Sequence, residues 1–198
     1  MPIRDIIVIA ASAGGVETLG QVVAPLPAQL PASLFIVMHI MADRASHLPR
    51  ILARQARLPV AHAGNGEAVV HGRIYVAPPD YHMILEDGIV LLDHGPKENF
   101  TRPAADPLFR SAAMAYGSRV MGIVLTGGDS DGAKGLTAIK AAGGISVVQS
   151  PAEAAFPAMP LSGLERDQPD YCLTSGEIPT LIARMAGSPA ILPELKRS

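Results

Sequence analysis

Apolar and polar positions alternate along this chain with two periods, one near two residues and one near 3.6. Ile3 to Ala10 (IRDIIVIA) is a near-continuous apolar run, as in a strand buried on both faces. Gly14-Gly15 open a segment in which Val16, Leu19, Val22 and Val23 share one helical face, and Pro25 closes it. Ser33 to His39 (SLFIVMH) predicts a second strand and Ser46 to Ala56 a second helix. Between Val60 and Leu92 the rhythm changes. GRIYVAP, MILED and GIVLLD are short runs separated by PPD and EDG, which predicts antiparallel strands with Glu86-Asp87-Gly88 as a hairpin turn. A helix follows over Asp106 to Tyr116, with Asp106 as its N-cap and Pro107 at its first position. Arg119 to Leu125 predicts another buried strand, Asp131 to Ala142 a helix ended by Gly143-Gly144, Ile145 to Val148 a strand, and Gly176 to Ala186 the last helix. This alternation predicts an α/β fold, a mostly parallel, doubly wound, Rossmann-like three-layer sheet with a small antiparallel β insert. Residues 1–187 read as one domain without internal repeats, and residues 188–198, with two prolines, as a loose tail.

Composition narrows the class. Hydrophobic residues are 48% and charged residues 17% of the 198, which excludes a disordered chain. With 16 basic against 18 acidic residues and no basic patch, nucleic acid is not an expected partner. A single cysteine, Cys172, forbids an internal disulfide and fits a reducing compartment. No apolar stretch reaches the ~18 residues of a membrane span, and Met1 leads into a strand without a signal sequence, so a soluble, cytoplasmic domain with no membrane insertion is expected. His47, His62, His71 and His94 show no zinc-ligand spacing. Asp129-Ser130-Asp131-Gly132 lacks the third acidic position and the distant Glu of a calcium loop, so no metal is expected.

Ligands of open parallel sheets bind beyond the carboxyl ends of the strands. Three such ends carry reactive side chains here: Ser12 after the first strand, His39 at the end of the second, and Asp129 and Asp131 after the strand ending at Leu125. Serine, histidine and aspartate at one sheet edge can form a nucleophile, base and orienter. Backbone N–H groups at the start of the Gly14-Gly15 helix can hold a developing oxyanion. Each residue alone has a plainer reading: Ser12 as helix cap or phosphate ligand, His39 as a core histidine, an aspartate as helix cap. The G-x-S-x-G elbow is absent, since Ala10 fills the first glycine position, and the order Ser…His…Asp is not that of α/β-hydrolases. His82, at the edge of the insert, faces either the site or solvent.

ASAGGVETL near the start, the strand-end His39, NFTRPAADPLFRSAA at 99–113 and VLTGGDSDGAKGLTAIKAAGG at 124–144 together resemble the catalytic domain of CheB-type chemotaxis methylesterases. The resemblance runs from about Ile6 to Ile182, with the motifs in order. It implies an α/β enzyme with Ser12 as nucleophile, His39 as general base and Asp131 as orienting aspartate. The implied substrate is a glutamyl γ-methyl ester on a methylated chemoreceptor or similar helical signalling protein. Glutamine deamidation is a second implied activity, and no cofactor is implied. Ala13, Gly14, Gly128, Arg102 and Arg110 are expected on the oxyanion and substrate side. The departures lie at the rim. Ala13 stands where the family has Ser or Thr, and Gly128 and Asp129 replace its Met and Gly, which widens the pocket and puts Asp129 partly solvated at the mouth. Thr101, Ala104 and Ala105 replace His, Ser and Val, while Arg102, Pro103, Asp106 and Phe109-Arg110-Ser111 are kept. The family's usual N-terminal receiver has no room before Ile3, so an ungated enzyme, or one gated by a separate chain, is expected. Two alternatives stand beside the esterase: a nucleotide- or phosphate-binding module using Ser12 to Gly15, which lacks G-x-G-x-x-G and any lysine in the loop, and a catalytically silent interaction domain. Nothing in the sequence sets the oligomeric state.

Overall fold

The computed structural model describes residues 3–39 and 46–188. In chain order its elements are β1 (Ile6–Ala11), α1 (Gly15–Val23), β2 (Ser33–Met38), α2 (Leu48–Leu52), β3 (Val60–His62), β4 (Glu67–Ala68), β5 (Arg73–Val76), β6 (His82–Glu86), β7 (Ile89–Asp93) and α3 (Ala105–Tyr116). They continue with β8 (Val120–Val124), α4 (Ala133–Ala141), β9 (Ile145–Gln149), α5 (Ala158–Asp167), β10 (Tyr171–Leu173) and α6 (Ile178–Met185). Seven strands form one sheet in the order β10-β9-β8-β1-β2-β5-β3, and every pairing in it is parallel. β4, β7 and β6 form a separate antiparallel sheet.

The continuous apolar run of β1 follows from its central place. Ile7, Ile9 and Ala11 enter one core with Leu19, Val22 and Val23 of α1 and Leu181 and Ile182 of α6. Ile6, Val8 and Ala10 enter the other, with Leu108 and Phe109 of α3, Leu136 and Ile139 of α4 and Met83 of the insert. Successive residues of a strand point to opposite faces, so a strand covered by helices on both sides carries no polar positions. Chain order runs outward from β1 to β2 on one side and from β8 to β9 on the other, which opens a crevice beyond the carboxyl ends of β1, β2 and β8.

The expected α/β architecture is present, with corrections in detail. The GRIYVAP run does not belong to the antiparallel insert. β5 joins the main sheet beside β2, and β3 joins it beside β5. Ile74, Tyr75 and Val76 are each fully buried, the continuous pattern of a parallel strand rather than the alternation of a half-exposed one. Glu86-Asp87-Gly88 does turn β6 into β7, with Gly88 at φ 81°. The second helix is only Leu48–Leu52, shorter than the expected Ser46 to Ala56. α5 and β10 had no counterpart in the sequence reading. Prolines at 157 and 160 obscure that helix, yet they stand at its N-cap and first turn, where the missing N–H has no partner to lose. Asp106 is not the cap of α3; Ala104 occupies that position in extended conformation and Asp106 lies inside the first turn. The expected loose tail falls, after Ser188, outside the described residues.

α3 and α4 approach closely at Gly135, where a Cβ would stand 2.4 Å from Phe109 Cβ. Gly135→Ala would gain ~0.5–1 kcal/mol of helix propensity, but overpacking of this kind costs ~1–3 kcal/mol. The substitution is therefore expected to be net destabilising, read as a lowered urea midpoint at unchanged m-value.

Candidate active site

Ser12 follows β1 directly, and its amide donates to Thr126 O at 2.9 Å, which ties the end of β1 to the end of β8. The Gly15 amide donates back to Ser12 O at 2.9 Å, closing a tight turn in which Gly14 adopts φ 76°. That left-handed conformation favours glycine, and a Cβ there would also lie 3.1 Å from Ala155 Cβ. Thr126, wholly buried, braces the turn: its Oγ1 donates to Ala13 O at 3.0 Å and accepts the Phe156 amide at 2.9 Å. Gly127 passes so close behind the serine that a Cβ would come within 2.9 Å of Ser12 Cβ. The amides of Ala13 and Gly14 have no backbone partner among the described residues, and both lie at the start of α1. They are unpaired donors at the positive end of a helix.

His39 ends β2, its amide bonded to Ala11 O at 3.2 Å, and its side chain is 9% exposed. Nε2 lies 2.8 Å from Asp131 Oδ2. Asp131 is fully buried and saturated with donors: Asp106 N at 3.1 Å, Gly132 N at 3.0 Å, Asn99 Nδ2 at 2.7 Å, and the Ala105 amide as well as the imidazole. Ala105 and Asp106 are the first residues of α3, so the aspartate that follows β8 caps the helix before β8. The converse also holds. Asp106 Oδ1, on α3, accepts Gly132 N at 3.1 Å and Gly135 N at 2.8 Å and thereby caps α4. Burial alone would push the Asp131 carboxyl up, but the bonds from His39 and the α3 amides hold it below the usual carboxylate range. Asp106 is raised by burial and by the neighbouring Asp131 charge.

Asp129 is partly solvated, as expected, and also reaches the imidazole. With 37% of its side chain exposed, it turns inward so that Oδ2 lies 3.0 Å from His39 Nδ1, while Oδ1 accepts the Asp131 amide at 2.9 Å. The approach to Nδ1 is close but misdirected, and that buried nitrogen has no aligned hydrogen-bond partner. It is a charge contact rather than a hydrogen bond. Burial lowers the affinity of His39 for its second proton, but the two flanking carboxylates outweigh it and push the imidazole up to about 9.

Ser12 and His39 share an open cleft of about 520 Å³ with Ala13, Gly14, Glu17 and Met38 on its walls. A Cβ at Gly128 would meet nothing within 4 Å, and Gly128 is not among the residues that line this cleft. The two arginines expected near the substrate are engaged elsewhere. Arg102 holds Asp80 Oδ1 and the Gly95 carbonyl; Arg110 pairs with Glu98 Oε1 at 2.6 Å and lines a different cavity. His82 faces neither the site nor solvent. It is 2% exposed, its Nδ1 accepts the Ala104 amide and its Nε2 bonds Pro96 O at 2.9 Å. Asn99, absent from the sequence candidates, joins Asp131 and Asp106 through one amide nitrogen. Its φ of 47°, in the left-handed region that asparagine tolerates, is the one local signal for such a turn.

A serine, an imidazole and a buried, ionised carboxylate at the switch point of a doubly wound sheet define an α/β protein with a hydrolase-type site outside the nucleophile-elbow pattern. The chain belongs to the CheB methylesterase family, whose model matches residues 7–182. It is similar to the Thermotoga maritima CheB methylesterase catalytic domain, whose crystal structure superimposes with a TM-score of 0.88 at 32% identity over 91% of this chain and 98% of that one. An Anaeromyxobacter dehalogenans protein-glutamate methylesterase/protein-glutamine glutaminase is 37% identical over 91% of this chain and 53% of its own length. A Leptospira interrogans relative, provisionally given the same two activities, is 38% identical over 91% of this chain and 94% of its own. The chain thus spans about half of the Anaeromyxobacter relative and nearly all of the Leptospira one. Among the described residues no helix is long and apolar enough to cross a membrane.

The raised His39 value also fixes a stability trend. Folded His39 binds its proton more tightly than the unfolded side chain, with values of about 9 against 6.5. Its contribution is therefore full below pH 6.5 and is lost as pH rises to 9. The Tm of the native protein is expected to fall across that window relative to His39→Gln, followed by calorimetry; parallel curves would contradict the two-carboxylate pairing.

Proposed function

We propose that the protein is a protein-glutamate methylesterase, with glutamine deamidation as a second activity of the same site, acting on a chemoreceptor-type helical protein in the cytoplasm. The observation that carries the reading is the 2.8 Å bond between His39 and the buried Asp131 at the cleft that also holds Ser12. Ser12 Oγ attacks the γ-carbonyl carbon of the methyl ester as His39 takes its proton, and the oxyanion forms against the Ala13 and Gly14 amides. The C–OCH3 bond breaks, His39 returns the proton, and methanol leaves the acyl-serine. Water, deprotonated by His39, then attacks the acyl carbon and releases the glutamate carboxylate and free Ser12. With a glutamine substrate the same steps expel ammonia. Asp131 keeps the ring oriented and stabilises the imidazolium. Glu17 and Asp129 bring negative charge to the cleft, and no Lys or Arg lines it among the described residues, which disfavours a phosphate ligand.

Ser12→Ala should fold normally and release methanol from methylated receptor several orders of magnitude more slowly, since the loss of a nucleophile of this kind costs about 10⁶ in kcat. Near-native turnover in that variant would refute the reading. Asp131→Asn should lose about 10³–10⁴ in kcat. It should also lose about 1–3 kcal/mol of stability, because an amide nitrogen cannot accept the N–H groups that converge there. The kcat/KM profile, which reports the free enzyme, should climb towards a midpoint near 9 rather than level off above 6.5.

A further inference from the structure

The imidazole of His39 has two nitrogens, and both already face carboxylates. Nε2 is committed to Asp131, whose burial and many donors fix it in place. Nδ1 is therefore the nitrogen left for Ser12. Its near neighbour is Asp129 Oδ2 at 3.0 Å, approached off-axis, and it has no aligned acceptor. The site is thus arranged with a charge where the catalytic cycle needs a hydroxyl.

We propose that Asp129 is a positioning residue that holds His39 as a doubly paired imidazolium whose Nδ1 is not engaged with Ser12, and that its carboxylate must withdraw before Nδ1 can engage the serine. The proposal rests on the esterase reading above. Its geometry allows the movement. Asp129 is the more exposed of the two acids, and its neighbour Gly128 has open space around it. Asp131, with no exposed surface, cannot move in the same way. When Asp129 swings out, Nδ1 releases its proton to water and becomes the acceptor for the Ser12 hydroxyl. Among the described residues the charged groups around the ring are few. Asp129 and Asp131 come from the loop before α4, Glu17 of α1 lines the same cleft, and Asp106 of α3 stands behind Asp131, to which Asn99 also binds. Among the described residues the charges that favour the imidazolium are those of Asp129 and Asp131, and of these two Asp129 is the one free to leave. A base with a value near 9 is neutral in only about 1% of molecules at pH 7, and each unit by which it falls raises that fraction about tenfold.

The test compares the native protein with Asp129→Asn, whose amide oxygen still accepts the Asp131 N–H and preserves the turn; Asp129→Gly serves as a second variant. Two readouts are taken from pH 5 to 10: the His39 imidazole titration by NMR, and the rate at which a fluorophosphonate labels Ser12. Removal of an opposite charge at this distance should lower the His39 midpoint by about 1–3 units. Labelling at pH 7 should accelerate about tenfold or more, with its midpoint moving in step. Coincident His39 midpoints in all three proteins would overturn the proposal, and so would slower labelling of both variants at pH 7. A shifted NMR midpoint with no labelling in any protein at any pH would retain the pairing and refute the esterase reading instead.

Discussion

Two buried aspartates exchange helices. Asp131 follows β8 yet receives the first amides of α3, and Asp106 sits in α3 yet receives the amides that begin α4. Each carboxylate satisfies donors that a helix start leaves unpaired. Because each caps the other's helix, α3 and α4 cannot shift independently, and the close contact at Gly135 adds a steric limit to the electrostatic one. Asp131 is therefore as well fixed as a backbone atom. A histidine oriented by such a group keeps one ring orientation, which is what a base beside a nucleophile requires. Asn99 completes the arrangement by bridging the two acids, so that the loop carrying it is anchored to the site as well.

The same network sets the electrostatic state of the cleft. Burial raises the Asp131 carboxyl, but the imidazole and the amide donors outweigh it and hold the group below the usual carboxylate range. Asp129 adds a second anion, and the two carboxylates together raise the ring of His39 to about 9. In the proposed mechanism, stability and activity pull in opposite directions. The imidazolium that best satisfies the two carboxylates is the protonation state that cannot accept the serine proton. Functional sites often hold such a locally favourable, catalytically idle arrangement, released when substrate arrives.

The parts of this fold governed by local rules were readable along the chain. β1, β2 and β8 announced themselves as unbroken apolar runs, and the glycines at 14–15 and 143–144 marked helix ends correctly. The placement of Ser12, His39 and Asp131 at three strand ends followed from alternation alone. What escaped was governed by partners distant in sequence. Whether the Ile74 to Val76 run joins a parallel or an antiparallel sheet depends on β2 lying beside it, which the run itself does not state. Asp106 had the spacing of a local cap and serves instead the helix that begins at Ala133. Arg102 and Arg110 matched a family pattern, but their guanidiniums are held by Asp80 and Glu98, acids that the motif does not contain. Asn99 carried only a turn propensity, and its role arises from two aspartates brought together by helix packing.

The most direct test of the central claim is the structure of the protein after reaction with a fluorophosphonate. The account predicts phosphorus bonded to Ser12 Oγ, a phosphoryl oxygen on the Ala13 and Gly14 amides, His39 still joined to Asp131 through Nε2, and Nδ1 turned to the serine oxygen with Asp129 withdrawn. Phosphorus on any other residue, or a Ser12 adduct whose phosphoryl oxygen points away from those two amides while Asp131 has released His39, would contradict it.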